Sequence, residues 1–248
     1  MNKLYALGMC VTGLLVCRTG YGQTGSAEVS VSTNITTLKK QYEQSINLNS
    51  RLYNGPEYVF YDKLYRTKQG HQFFNEPELK PGEILYDGQR YSNIPLLYDT
   101  HLDQVVSTLP SNAITYRLIN EKIQAFTLQN HTFVRLVAPP TPKTPIITGF
   151  YDLLFDGNAK LFAKREKSLE KRAEQNSVKI IFLESINYFI YKDNTYYPIT
   201  SLNNFVSLFP ENKASLQKYA RTNKLKFNKA NREVSLVKLA QYNASLAH

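Results

Sequence analysis

The sequence predicts an α+β fold: a predominantly antiparallel curved β-sheet or partly open barrel that ends in a C-terminal helical tail. Three observations carry this. From Leu52 onward, runs of aromatic and β-branched residues alternate with short turn formers, the pattern of strands joined as neighbours. Asp87-Gly88, Gln129-Asn130 and Lys192-Asp193-Asn194 are breaks short enough to be hairpin turns. After residue 200 the apolar spacing changes to the three-or-four step of amphipathic helices.

Taken in order, residues 1–23 read as a secretory signal peptide. A short start with Lys3 precedes an apolar run of about fourteen residues, and small and polar residues follow from Thr19 to Ser26. That run is too short to span a bilayer, which takes about twenty residues. Neither Cys10, after Met9, nor Cys17, after Val16, has the small preceding residue that lipidation requires. Residues 24–50 read as a flexible or partly helical segment, with Leu38, Tyr42 and Ile46 spaced for one side of a short helix over 35–46.

Residues 51–200 form the expected β body. Strands are expected over 82–86 and 89–91 about the Asp87-Gly88 turn, with Ile94-Pro95-Leu96-Leu97-Tyr98 continuing the sheet and Pro95 implying an edge or a strand start. Further strands are expected at 104–108, 114–118, 122–128 and 132–137. Four prolines between Ala138 and Pro145 then make a surface loop, since proline removes ladder donors. A hairpin over 150–164 follows, and then the charged run 164–172, which has the composition of a solvated extension. Segments 178–183, 188–191 and 195–199 complete the strands. In the tail, 201–248, Ser201 caps a helix carrying Phe205, Val206, Leu208 and Phe209, and Pro210 ends it. Leu216, Tyr219 and Ala220 mark a second helix, and Val234, Val237, Leu239 and Ala240 a third.

The net charge of +10 is uneven: residues 24–150 hold twelve Lys/Arg against eleven Asp/Glu, and residues 151–248 hold sixteen against nine. On an exported chain this excess fits a solvated surface with no particular partner, or an anionic envelope component or envelope protein as partner, and no nucleic acid. With both cysteines in the signal, a mature chain of about 225 residues has neither disulfides nor a thiol nucleophile, and must be held by its core. It has no expected transmembrane span, and no cofactor is implied.

No residue is assigned as catalytic, cofactor-binding or metal-ligating. The best local constellation is Asp99, His101 and Asp103, because alternate residues of an extended strand share a face and two carboxylates flanking an imidazole could hold a metal or orient a general base. Strand ends at a turn explain the same residues. His71 and His131 read as loop or packing residues, and the many tyrosines as cross-strand packing. Serine-nucleophile and phosphate-loop signatures are absent from the sequence.

Several phrases resemble a family of exported, functionally uncharacterised proteins of Gram-negative bacteria: Leu52-Tyr53-Asn54-Gly55-Pro56-Glu57-Tyr58, Gly70-His71-Gln72-Phe73-Phe74, Tyr86-Asp87-Gly88-Gln89-Arg90-Tyr91, Ile94-Pro95-Leu96-Leu97-Tyr98-Asp99, the run 149–157 and Leu208-Phe209-Pro210. The resemblance implies export and one shared architecture, and nothing catalytic. The expected function is a non-enzymatic binding or interaction protein of the envelope. The alternatives are a periplasmic carrier of an apolar or acyl-chain ligand, and a hydrolase or metal site around Asp99, His101 and Asp103.

Overall fold

The computed structural model describes residues 52–108, 114–140, 144–175 and 177–246. The expected signal peptide, 1–23, and the flexible or partly helical segment expected over 24–50 lie outside them. Among the described residues one sheet is built from β1 (Thr67–Gln69), β2 (Lys80–Tyr86), β3 (Gln89–Asp99), β4 (Gln104–Thr108), β5 (Thr115–Arg117), β6 (Ile123–Leu128), β7 (His131–Leu136), β8 (Gly149–Phe155), β9 (Lys160–Glu174), β10 (Ser177–Lys192) and β11 (Thr195–Ile199). The order is β1-β10-β9-β8-β7-β6-β2-β3-β4-β5, with β11 also on β10. Every pairing is antiparallel except β1 with β10, and the ends do not pair, so the curved sheet stays open.

Three tight turns have the backbone their sequences require. Asp87 and Gly88, Gln129 and Asn130, and Asp193 and Asn194 all take positive φ, the condition for turns whose twist matches that of the strands. Pro95, expected at an edge or a strand start, is instead inside β3. It is tolerated because it stands opposite Pro81, while pairing with β4 begins only at Leu96 and pairing of β2 with β6 only at Gly82. Neither proline therefore interrupts a ladder that needs its N–H. A bulge at residues 92–93, with Asn93 at positive φ, bends β3 just before it.

The curvature encloses an aromatic core. Tyr86, Tyr98, Phe126, Phe133 and Phe150 are nearly fully buried on the concave side, and Phe126 and Phe133 stack at 4.8 Å. The tyrosines are thus mainly packing residues, as the strand pattern implies. On the same face farther along the sheet, as the pairings of Phe133 with Asp152 and of Asp152 with Ala163 require, Leu161, Ala163, Tyr188 and Ile190 pack under three helices, α1 (Leu202–Ser207), α2 (Lys213–Thr222) and α3 (Arg232–Ser245). Ser201 caps α1 by accepting from Asn204 N. Pro210 opens a 3₁₀ turn, Pro210–Asn212, that leads into α2, so it both stops one helix and starts the next. In α3 the buried residues are Ser235, Leu236, Leu239 and Ala240; Val234 is exposed, because helix phase turns it away from the sheet.

Two corrections concern the charged hairpin. The run 164–172 continues β9, whose register with β10 is unbroken from Lys160 to Glu174; residues 168 and 170–172 are exposed as expected, but Lys164 and Arg165 are buried. Likewise 178–183 and 188–191 are parts of one strand, β10. The long hairpin curls back against the β3–β4 turn although β8, β7, β6 and β2 lie between those strands in the sheet. Lys167 N donates to Thr100 O (3.3 Å), and Lys167 Nζ donates to Phe73 O. This seam closes the curve through loop contacts instead of a ladder.

Candidate functional site

A polar cleft of about 490 Å³ opens at the seam, lined by Thr100, His101 and Asp103 from the β3–β4 turn, by Thr148, and by Lys164 and Glu166 of β9 among others. The expected trio does not share a strand face here. Asp99 ends β3, and residues 100–103 form a turn in which Asp103 takes positive φ. The three side chains therefore point to separate tasks.

Asp99 is fully buried and accepts four hydrogen bonds. Tyr58 OH (2.7 Å) and Tyr61 OH (3.0 Å) donate to Oδ2, and the N–H groups of His101 and Leu102 (both 2.9 Å) donate to Oδ1. Burial, then the Asp99 charge, pushes both tyrosine hydroxyls well above their ordinary range, so they stay protonated donors. Asp99 shapes the turn and has no lone pair directed into the cleft for chemistry. His101 Nδ1 lies 2.7 Å from Lys167 O; a carbonyl only accepts, so Nδ1 carries the proton and Nε2 is left as the acceptor. Asp103 accepts from Tyr98 OH on Oδ1, and its Oδ2 takes Phe150 N (3.2 Å) and Lys164 Nζ (2.8 Å). Only His101 and Asp103 face the cleft. Among the described residues no group of three His, Cys, Asp or Glu side chains is placed to hold a metal ion.

The residues missed from the sequence are the two cations that open the charged run. Lys164 and Arg165 are 3 % and 7 % exposed and, as strand neighbours, point to opposite faces. Lys164 reaches the cleft side, where it pairs with Asp103, donates to Phe150 O (3.2 Å) and lies over the Tyr151 ring. Arg165 reaches the helix side. Its Nε (2.8 Å) and NH2 (2.6 Å) both donate to Oδ2 of Asp152, itself 1 % exposed, and NH2 also meets Glu233 Oε1 of α3 at 2.9 Å. Burial works against the guanidinium charge, but Glu233 and Asp152 outweigh it and raise the Arg165 pKa. His131 opens β7 with Nδ1 2.7 Å from the same Asp152 oxygen, and Tyr188 OH donates to Glu233 Oε2 (3.2 Å). A signal was present: Lys164 and Arg165 follow Leu161-Phe162-Ala163 with no turn former between, and Asp152 stands inside an apolar strand. Charges in such runs are buried, and buried charges need partners.

Two further surfaces bear on binding. Between sheet and helices, the recess lined by Phe155, Leu161, Ile190, Phe205 and Phe209 encloses about 30 Å³. That is about the share of one water in the liquid, with no room for an acyl chain. On the tail, Lys213, Lys218, Arg221, Lys224, Lys226 and Lys229 are all exposed, and none is in an ion pair with a described residue. Residues 201–246 hold eight Lys/Arg against Glu211 and Glu233, and Glu233 is already engaged by Arg165. No helix among the described residues is long and apolar enough to cross a membrane. No family model matches the chain, and no curated protein or solved structure matches it either.

Proposed function

We propose that this chain is an exported, non-enzymatic envelope protein whose helical tail binds a phosphate-bearing anionic surface. The observation that carries the reading is the set of six exposed cations on and between α2 and α3, none of them in an ion pair with a described residue. Such a cluster gains from anionic partners because its field adds over neighbouring side chains, and the gain falls as salt screens it. The sheet supplies a rigid base, since α3 is tied to β8 and β9 through Glu233, Arg165 and Asp152. Export, and membership of the exported family resembled by the run 149–157 and its companions, belong to the same reading.

The apolar-carrier alternative would require α1–α3 to lift from the sheet, given the small recess beneath them. A hydrolase would have to act through His101 Nε2 and Asp103, because Asp99 is sequestered. The test is co-sedimentation with vesicles of phosphatidylglycerol and of phosphatidylcholine, with free inorganic phosphate as a separate competitor. Binding to the anionic vesicles alone is expected, lost at high salt and lost in the triple variant Lys218→Glu, Arg221→Glu, Lys226→Glu. Equal binding to both vesicle types, or no response to salt, overturns it.

A further inference from the structure

The outer edge of β9 runs free of the sheet well before β9 ends. Its ladder with β8 stops at Ala163, opposite Asp152, and the β3–β4 turn then takes Lys167. Beyond that point no described residue bonds the outward backbone groups of 168–174. Which groups those are follows from Lys167, whose N–H and carbonyl both point outward to Thr100 and His101. Because the β9–β10 register has no bulge, alternation directs the backbone of Leu169, Lys171 and Ala173 outward too, while Ser168, Glu170 and Arg172 bond to β10. Side chains 170–174 are exposed.

We propose that this edge is the interface of a two-fold homodimer, β9 pairing antiparallel with β9 of a second copy about an axis at Lys171. Antiparallel bonding requires outward residues to stand opposite outward residues, which restricts the two-fold to alternate registers. Charge then selects among them. With the axis at Lys171, Glu170 stands opposite Arg172 of the second copy, twice by symmetry, and Leu169 stands opposite Ala173. Centring on Glu170 sets that carboxylate against itself. Centring on Arg172 sets Arg172 against itself and Glu170 against Glu174. Charged edges ordinarily resist pairing, but this one is self-complementary in one register. The like charge at the axis is drawn aside, since Lys171 Nζ sits 5.4 Å from the Tyr65 ring centroid.

Sedimentation velocity of the purified protein over a concentration series tests this. A monomer–dimer equilibrium is expected. Glu170→Arg or Arg172→Glu alone should weaken it about tenfold, and the double swap should restore it. Lys171→Pro removes an outward N–H and leaves the β10 ladder intact, so it should abolish the dimer with an unchanged circular dichroism spectrum. A wild-type chain that stays monomeric throughout overturns the proposal, as does a double swap no tighter than the single variants.

Discussion

Lys164 Nζ of β9 lies 2.8 Å from Asp103 Oδ2 of the β3–β4 turn, an ion pair that joins the two sides of the curved sheet across its seam. The lysine side chain is almost wholly buried and the carboxylate a quarter exposed. The pair is also what makes Gly149 necessary. A Cβ at that position would stand 2.0 Å from Asp103 Oδ2 and 2.7 Å from Lys164 Nζ.

Asp103→Asn keeps a residue type that tolerates positive φ but leaves the Lys164 charge without its counter-charge. Loss of about 2–4 kcal/mol is expected, toward the lower end because Asp103 is partly solvated. Gly149→Ala should cost about 1–3 kcal/mol by overpacking the same spot. Urea unfolding of the two single variants and of Gly149→Ala in an Asp103→Gly background checks both values. In that background the alanine should cost clearly less, since the nearer obstacle is gone and only the movable Lys164 ammonium remains.

Removing Arg165 should be more damaging than removing its outer partner. Arg165→Leu strands Asp152 in the interior beside His131, and about 3–5 kcal/mol is expected for breaking a buried pair. Glu233→Gln, at a partly exposed site, should cost about 1 kcal/mol or less and act locally. Hydrogen exchange separates the two, with protection lost across β8 and β9 in the first variant and mainly in α3 in the second.

Acid should weaken the fold in two windows. Burial, and then the Lys167 ammonium, pushes His71 below the ordinary imidazole range. The unfolded chain therefore binds this proton more readily, so stability is flat above about pH 6.5 and falls as pH drops toward the folded value. Burial alone would raise Asp62, but hydrogen bonds from Lys68 and Gln72 outweigh it and hold the carboxyl below its usual range. That contribution is present above about pH 4 and is lost as pH falls through the folded value. His71→Gln should flatten the first slope and Asp62→Asn the second in stability measured against pH.

Local chemistry is what a single sequence records, and the local features were legible. The Asp87-Gly88, Gln129-Asn130 and Asp193-Asn194 turns need positive φ that few residue pairs supply, so they mark their hairpins unaided. Ser201 marks its helix because an N-cap oxygen acts within four residues. The α+β class follows from the change of apolar period after residue 200. The placement of charge was decided elsewhere. Whether Lys164 is solvated depends on Asp103 arriving from a turn sixty-one residues earlier. Whether Asp99 is a base or a turn anchor depends on Tyr58 and Tyr61 folding over it. Pro95 reads as an edge residue until Pro81 is set opposite. Burying a charge or a proline is affordable only beside the right distant partner, and curvature of the whole sheet brings those partners together.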